Sequence, residues 1–192
     1  MAGNIDNWRF WGDDESFVAV APKGTTGPTT IISDTNPLPA GFVEVGDITD
    51  AGVDESQSAN LQKFRRWQGN AVRKTKVTEA DREYKFLCYE DNLVTHGLKY
   101  RGQTPEVTGT AGAMVAKTVV KNQTATDDRA WLFHYVDGDI VEDHLIKAGS
   151  YSVTGTYKRS ATEPSVLEIT VSPLEDVEIL TNNPSITGDT SV

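Results

Sequence analysis

The sequence predicts a mainly β protein with about eight or nine strands and one short helix. Three observations support this fold class. Residues 83–90 alternate between two faces, with the period of two of a strand that buries one face. Residues 130–136 alternate as well and run into the Asp-Gly pair at 137–138, a strong hairpin signal. Directly after the strand at 83–90, an Asp-Asn pair caps a helix at about 91–101, which ends at a glycine.

The N-terminal segment, residues 1–16, is predicted to be an extended arm. Trp8, Phe10 and Trp11 lie there among Asn, Asp and Gly, with neither a strand period nor a helix period. Terminal segments normally fray, so three large aromatic residues in one predict that the arm docks onto this domain or onto a neighbour.

Two short strands and a long loop follow the arm. Residues 16–21 and 42–48 have the composition and alternation of strands. Residues 22–41 are rich in Gly and Pro and form a loop of about twenty residues, a length that is usually functional or disordered. In residues 46–70 the pattern is mixed. We expect two strand-like segments on either side of an extended, polar segment, and the whole range is called the excursion 46–70.

The middle of the chain carries the most basic stretch. Residues 71–78 place Arg and Lys on both faces of a strand, so at least one face must meet water or another charged surface. The Ala-Asp pair at 80–81 is predicted to turn the chain into strand 83–90. Cys88, the single cysteine, lies on the apolar face of that strand, and we expect a buried, inert thiol.

The second half is predicted to be β throughout. Turns are expected at the Asp-Gly pair, at Ala148-Gly149 and at Glu163-Pro164, and residues 181–192 read as a flexible tail. The chain therefore divides into the arm 1–16, one domain over 17–180 and this tail. The expected strands of this half are 113–120, 130–136, 140–146, 151–157, 167–171 and, as a short continuation, 174–180.

Length and charge restrict the function. A chain of 192 residues can bury one substantial core without disulfides or metals. We expect a soluble, unprocessed product, since no leader pattern opens the sequence and no apolar run reaches membrane length. The net charge of −10 and the pI near 4.7 argue against nucleic acid as a tightly held ligand.

The charge is unevenly distributed. Residues 1–60 carry a net −8, 61–85 a net +5, 86–159 a net −1 and 160–192 a net −6. A solvated charged hairpin explains the basic belt at 61–85. The alternative is that the belt and the acidic ends of neighbouring copies complement one another head to tail.

The residue pattern contains no catalytic or metal-binding signature. His134 and His144 lie on either side of a hairpin and could face one another, but spacing nominates no third metal ligand. The acidic residues at 47–55 lack the alternating pattern of a calcium loop, so we expect no metal site beyond weak cation binding. No nucleophile elbow, phosphate loop or Cys/His dyad is present. We therefore expect no enzyme activity and no cofactor.

Aromatic residues leave two interpretations open. The simplest is a hydrophobic core, and the competing one is a platform on which a sugar stacks. The residues concerned are Trp67, Tyr84, Phe86, Trp131 and Phe133.

Three stretches together resemble a known family. They are ITDAGVDES at 48–56, LQKFRRWQGNAVRKTK at 61–76 and YKFLCYEDN at 84–92, the last passing into a helix. This order of an acidic turn, a polar excursion, a basic strand and a strand closing on a helix resembles the major tail protein, or tail tube protein, of long non-contractile-tailed bacteriophages. The match is good over about residues 40–105 and elsewhere follows only the strand pattern.

The resemblance implies a tail-tube fold: a sandwich of two antiparallel sheets with one short flanking α-helix, long loops and an extended arm. It implies a virion protein that self-assembles into hexameric rings, which stack into a tube through which DNA passes without specific binding. Other tail proteins, namely the tape measure, tail terminator and distal tail proteins, are the implied partners. Synthesis would take place in the host cytoplasm.

Long or aromatic segments are the candidates for self-assembly contacts: the arm, the loop 22–41 and the excursion 46–70. The alternative function is a β-sandwich module that binds a carbohydrate or a receptor. The individual candidate residues for self-assembly are Trp8, Phe10, Trp11, Asp50, Asp54, Arg65 and Arg66.

Overall fold

The computed structural model describes residues 8–120 and 127–188, and within them the chain is built from antiparallel strands. Arm residues 1–7 and tail residues 189–192 lie outside the described residues. The helices are α1 (Leu93–Lys99) and a single turn, α2 (Pro184–Thr187). The strands are β1 (Phe17–Pro22), β2 (Val43–Glu44), β3 (Ile48–Arg65), β4 (Val72–Cys88), β5 (Glu106–Thr108), β6 (Val115–Lys117), β7 (Arg129–Asp137), β8 (Ile140–Thr154), β9 (Leu167–Pro173) and β10 (Val177–Thr181).

The main sheet has the strand order β2-β1-β7-β8-β9-β4-β3, with β10 beside the first half of β8. β4 and β7 are separated by two strands in this order. Nevertheless the Tyr84 ring stacks on Phe133 with centroids 4.7 Å apart, and Phe86 meets Trp131 edge-on at 6.1 Å. The sheet therefore turns over at β8, and its two halves face one another. The predicted antiparallel sandwich with one short flanking helix is confirmed.

A second, small sheet consists of β5 and β6. The sequence predicted one strand over 113–120, whereas the structure has only Val115–Lys117 there, paired with a strand at Glu106–Thr108 that the pattern did not indicate. All six residues of this pair are exposed. Short strands without a buried face leave no periodic signal in the sequence.

The core between the two halves is aromatic. Tyr84, Phe86, Trp131 and Phe133 each have 0% exposed surface, and so has Cys88. Burial raises the pKa of the Cys88 thiol to about 12. The thiol therefore stays protonated at neutral pH, as the prediction of a buried, inert cysteine requires.

The long loop, residues 23–42, covers the outer face of the β1, β7 and β8 layer. Ile32 is buried there, and its backbone N–H donates to the buried carboxylate of Asp143 at 2.8 Å. Gly27 passes so close that an added Cβ would lie 2.2 Å from Cδ2 of Leu145. The segment is a loop, as predicted, and its inner side forms part of the packed fold.

Helix α1 is fixed by its first residues. The side-chain oxygen of Asn92 accepts hydrogen bonds from the N–H groups of Val94 and Thr95, both at 2.9 Å, and the Thr95 hydroxyl accepts from the Asn92 N–H. This capping box satisfies donors that a helix start leaves free. The Asn92 amide also donates to the carbonyl of Val45 at 2.8 Å, which ties the helix to the sheet. The predicted helix is confirmed, two residues shorter at each end.

For residues 46–70 the sequence predicted two strand-like segments around a polar segment, and the structure has one continuous strand, β3, over most of this range. β3 pairs with β4 in one long hairpin, and the turn predicted at 80–81 is wrong because those residues pair with residues 58–59. The chain reverses at 66–71, where Gly69 and Asn70 adopt φ values of 74° and 50°. Gly and Asn tolerate this left-handed backbone, which a tight reversal needs.

The turn predicted at Ala148-Gly149 is also wrong, since β8 continues through both residues. Gly149 pairs with Arg129 on one side and Pro173 on the other. A Cβ added there would lie 3.1 to 3.2 Å from side chains of the core. The glycine therefore allows packed side chains to approach the backbone closely. In the sequence, a glycine with this role looks the same as a glycine in a turn.

Two further expectations need correction. The residues His134 and His144 lie opposite Asp143 and Phe133 respectively, so the two imidazoles point to opposite faces of the β7–β8 pair and do not face one another. At the C-terminal end, Thr181 belongs to β10 and helix α2 follows, so the segment up to residue 188 differs from the predicted flexible tail.

Candidate assembly surfaces

The β3–β4 hairpin projects from the sandwich. β4 pairs with β9 only from Tyr84 to Cys88, and residues 56–83 contact mainly one another across the hairpin. Of these residues only Arg82 is half-buried, and all others are exposed. Ten residues beyond Glu55 reach the end of β3, so the projection is about 30 Å long at the rise of a strand.

Local hydrogen bonds hold the projecting part together. The Asn60 amide donates to Glu79 across the hairpin at 2.7 Å, and the Arg65 guanidinium donates to the carbonyl of Asn70 at 3.0 Å. A two-stranded hairpin without a core is marginally stable by itself. One edge of β3 and most of one edge of β4 also remain unpaired in the described residues, which invites pairing with another chain.

The distal part of the hairpin is basic and partly apolar. Residues 56–78 contain six Lys and Arg residues and no Asp or Glu. Trp67 at the tip is 95% exposed. The predicted contact residues Arg65 and Arg66 lie next to it, and neither forms an ion pair within the described part of the chain. The exposed apolar residues nearby are Leu61, Phe64, Val72 and Val77.

A buried polar cluster fixes the point where the hairpin leaves the sandwich. The Tyr84 hydroxyl lies 3.1 Å from Nδ1 of His144, whose Nε2 lies 2.7 Å from Glu142. Burial, with a contribution from the Glu55 carboxylate, raises the pKa of Tyr84 to about 12. Arg82 pairs with Glu55 at 3.3 Å just outside this cluster. The hairpin base is therefore anchored although its tip is not.

The aromatic arm docks in part on its own sandwich. The Gly12 N–H donates to the carbonyl of Val136 at 3.2 Å, and the Trp11 ring lies 6.2 Å from that of Tyr135. Trp8 and Phe10 remain 64% and 75% exposed. The sequence predicted docking onto this domain or onto a neighbour, and the structure places Trp11 on its own sandwich and leaves Trp8 and Phe10 exposed.

The acidic candidates Asp50 and Asp54 separate in space. Asp50 lies near the start of β3 and lines an open groove between the arm and the long loop. Asp54 is exposed on β3, opposite Lys85 of β4. The structure therefore does not place either acidic residue next to the arginines of the same copy, which lie at the other end of the strand.

The aromatic residues do not form a binding platform. Four of the five candidates are completely buried in the core, and only Trp67 is exposed. Among the described residues no three His, Cys, Asp or Glu side chains are arranged to share a metal ion. Nor does any described helix combine the length and apolar character needed to cross a membrane.

Comparison with known proteins identifies the family. A family model described as phage tail tube protein matches residues 1–183. The chain belongs to the phage tail tube protein family. A search of curated proteins gave no match. The match extends the resemblance from residues 40–105 to nearly the whole chain, and it gives this tail tube protein a structural role in the phage tail among other tail components.

Proposed function

We propose that this tail tube protein assembles into hexameric rings that stack into the tube through which phage DNA is ejected into the host. The observation that carries the proposal is the β3–β4 hairpin, whose residues 56–83 extend away from the core with almost no burial. Such a hairpin is marginally stable alone and becomes stable when a neighbour covers it. The sixfold symmetry follows the family resemblance.

Edge pairing between copies supports a closed ring. An open sheet edge is a liability in a monomer, and closure into a barrel removes it. β3 is the last strand of the main sheet and the longest strand in the described residues, so its free edge is the longest that pairing could cover. Strand edges paired between six copies would form a continuous wall, and the strands of this wall would expose one face to solvent.

Charge supports passage of DNA without binding. Six copies at −10 each carry a formal charge of −60. A wall of net negative charge repels the DNA phosphates, so the DNA slides instead of adhering. The basic hairpin residues would then lie in contacts between subunits, where acidic groups of neighbours neutralise them.

Within each subunit we propose one sandwich domain over residues 17–180, with the arm as a connecting element. The proposed assembly contacts are the exposed arm residues Trp8 and Phe10, with Trp11 at their base, the tip residues Arg65 and Arg66, and the acidic residues Asp50 and Asp54. The tape measure, tail terminator and distal tail proteins are the proposed heterologous partners, by family resemblance, and synthesis takes place in the host cytoplasm before assembly.

Electron microscopy of the full chain tests the proposal. The purified protein should form rings with sixfold symmetry and tubes at high concentration, and sedimentation velocity should show a concentration-dependent shift from monomer to large species. A protein that stays monomeric at high concentration, alone and with its tail partners, would contradict the proposed function. A glycan screen monitored by tryptophan fluorescence should give no saturable binding.

A further inference from the structure

An open groove of about 1160 Å³ lies where the arm, the long loop and the start of β3 meet. Among residues 8–120 and 127–188, eight acidic side chains line it and no Lys or Arg does. Within the described part of the chain none of the eight pairs with a lysine or arginine. They come from the arm, the long loop, β2 with the turn after it, the start of β3 and the segment after β4, for example Asp13, Asp34, Asp50 and Glu90. Like charges gathered in one concave site repel one another and attract a cationic partner.

The inner surface of the groove contains a second sign of a missing partner. Thr49 lines the groove and is 8% exposed, and its hydroxyl has no hydrogen-bond partner among the described residues. Buried hydroxyl groups in folded proteins normally have a partner. Trp11, Ile32 and Ile48 add apolar surface to the walls. The groove therefore suits a peptide segment that presents basic, hydrogen-bonding and apolar groups together.

The tip of the β3–β4 hairpin has this composition. Its six basic residues have no acidic neighbour within residues 56–78, and Trp67 is 95% exposed between Arg66 and the turn. None of the six forms an ion pair in the described residues. The basic tip and the acidic groove are thus complementary in charge, and within the described residues neither is neutralised by an ion pair of the same copy.

The two surfaces cannot meet within one copy. The groove lies at the beginning of β3 and the tip at its end, and the continuously paired part of the strand from Val53 to Arg65 is about 40 Å long. A paired strand of this length cannot fold back to its own start. Contact between copies is therefore head to tail, a heterologous arrangement that propagates from one copy to the next.

We propose that the acidic groove of one copy binds the basic hairpin tip of a second copy of this chain. The inference rests on the proposed function, because it names the partner that the hairpin meets in the assembled tube. The carboxylates pair with tip Lys and Arg side chains, and the apolar walls contact Trp67.

Charge reversal in the groove tests this pairing. Asp34→Lys with Asp50→Lys reverses two exposed groove residues, and Asp139→Lys with Glu175→Lys makes the same charge change at exposed acidic residues outside it. In 0.15 M salt the groove variant should need about tenfold more protein for half-maximal assembly, and the control less than about twofold more. Sedimentation velocity measures assembly, and thermal unfolding monitors the fold. If the lysine variant does not fold, Asp34→Asn with Asp50→Asn should give a smaller shift in the same direction.

Mixing distinguishes a specific contact from a general charge effect. The variant Arg65→Glu with Arg66→Glu keeps the native groove, and the groove variant keeps the native tip. Each should assemble poorly alone, and an equimolar mixture should recover assembly because both matched contacts can form. If the wild-type protein forms tubes and the groove variant assembles equally well, the contact between groove and tip is refuted. The proposed function is not refuted by that result. A wild-type protein that never assembles overturns both.

Discussion

Removal of the projecting hairpin tests whether the sandwich and the assembly surface are separable. Ser56 and Glu83 lie directly opposite one another in the β3–β4 pair. Residues 57–82 can therefore be replaced with an Asn-Gly pair, which closes a two-residue hairpin with the twist that strands require. None of the 26 residues removed is buried.

The expected cost to the fold is small. The change removes the Arg82–Glu55 ion pair, which is about one-third exposed on each side, and cross-strand contacts that lie entirely in solvent. An exposed pair of this kind contributes about 0.2–1 kcal/mol. The free energy of unfolding should therefore fall by about 1 kcal/mol or less, and Tm by about 2–4 °C. Assembly should be lost, because the basic tip and the long sheet edges are gone.

Thermal unfolding monitored by near-ultraviolet circular dichroism measures the change in Tm. Sedimentation velocity and electron microscopy measure the loss of assembly. Arg82→Ala in the full-length chain is the matched control, since it removes the same ion pair and keeps the hairpin. A fall in Tm of more than about 10 °C would show that the hairpin contributes to the stability of the sandwich. Normal tubes from the shortened protein would refute its role in assembly.

Four further predictions concern the sandwich itself. Asn92→Ala removes the cap of α1 and should lower the free energy of unfolding by about 1 kcal/mol, measured by urea titration with exposed Asn60→Ala as control. Gly27→Ala brings a Cβ within 2.2 Å of Leu145 and should cost about 1–3 kcal/mol, a penalty that disappears in a Leu145→Ala background. Iodoacetamide at pH 8 should modify Cys88 only after unfolding in guanidinium, since the native thiol is buried with a pKa of about 12; rapid labelling of native protein would contradict this. Burial raises the pKa of Tyr84 from 10.0 to about 12, so the folded state favours the neutral phenol. The resulting contribution to the free energy of unfolding is fully present below pH 10 and is lost as the pH rises towards 12. Tyr84→Phe should therefore show a smaller decrease in Tm between pH 9 and 11.5.

Sequence reasoning succeeded where one face of an element is buried. Alternation placed Tyr84, Phe86 and Cys88 on the inner face of β4, and all three are fully buried. The Asn92 cap, together with the Asp-Gly turn after β7, was equally clear because each depends on a local preference of one or two residues. These signals do not need knowledge of distant contacts.

Elements with both faces exposed to solvent were not predicted correctly. Most of β3 is exposed on both sides, so no apolar period marks it as a strand. Only its backbone pairing with β4 keeps it extended. Ala80-Asp81 and Gly149 have turn-like composition, yet register with neighbouring strands keeps them extended. Tertiary pairing overrode local preference in each case.

The acidic groove could not be predicted residue by residue. Asp13, Asp34, Asp50 and Glu90 are distant in sequence and come together only when the arm, loop and sheet pack. The sequence signal that remained was the separation of charge, with a basic belt at 61–85 between acidic ends. This signal indicated complementary surfaces, and the fold was needed to locate them.

Hydrogen–deuterium exchange before and after assembly tests the central claim most directly, namely that neighbouring copies cover the hairpin and pair its free edges. In the monomer, amides of residues 56–83 should exchange quickly, because the hairpin has no core and its edges are open. In assembled tubes the same amides should become strongly protected, while those of the buried strand β7 stay protected in both states. Equal, fast exchange of residues 56–83 in monomer and tube would contradict the account.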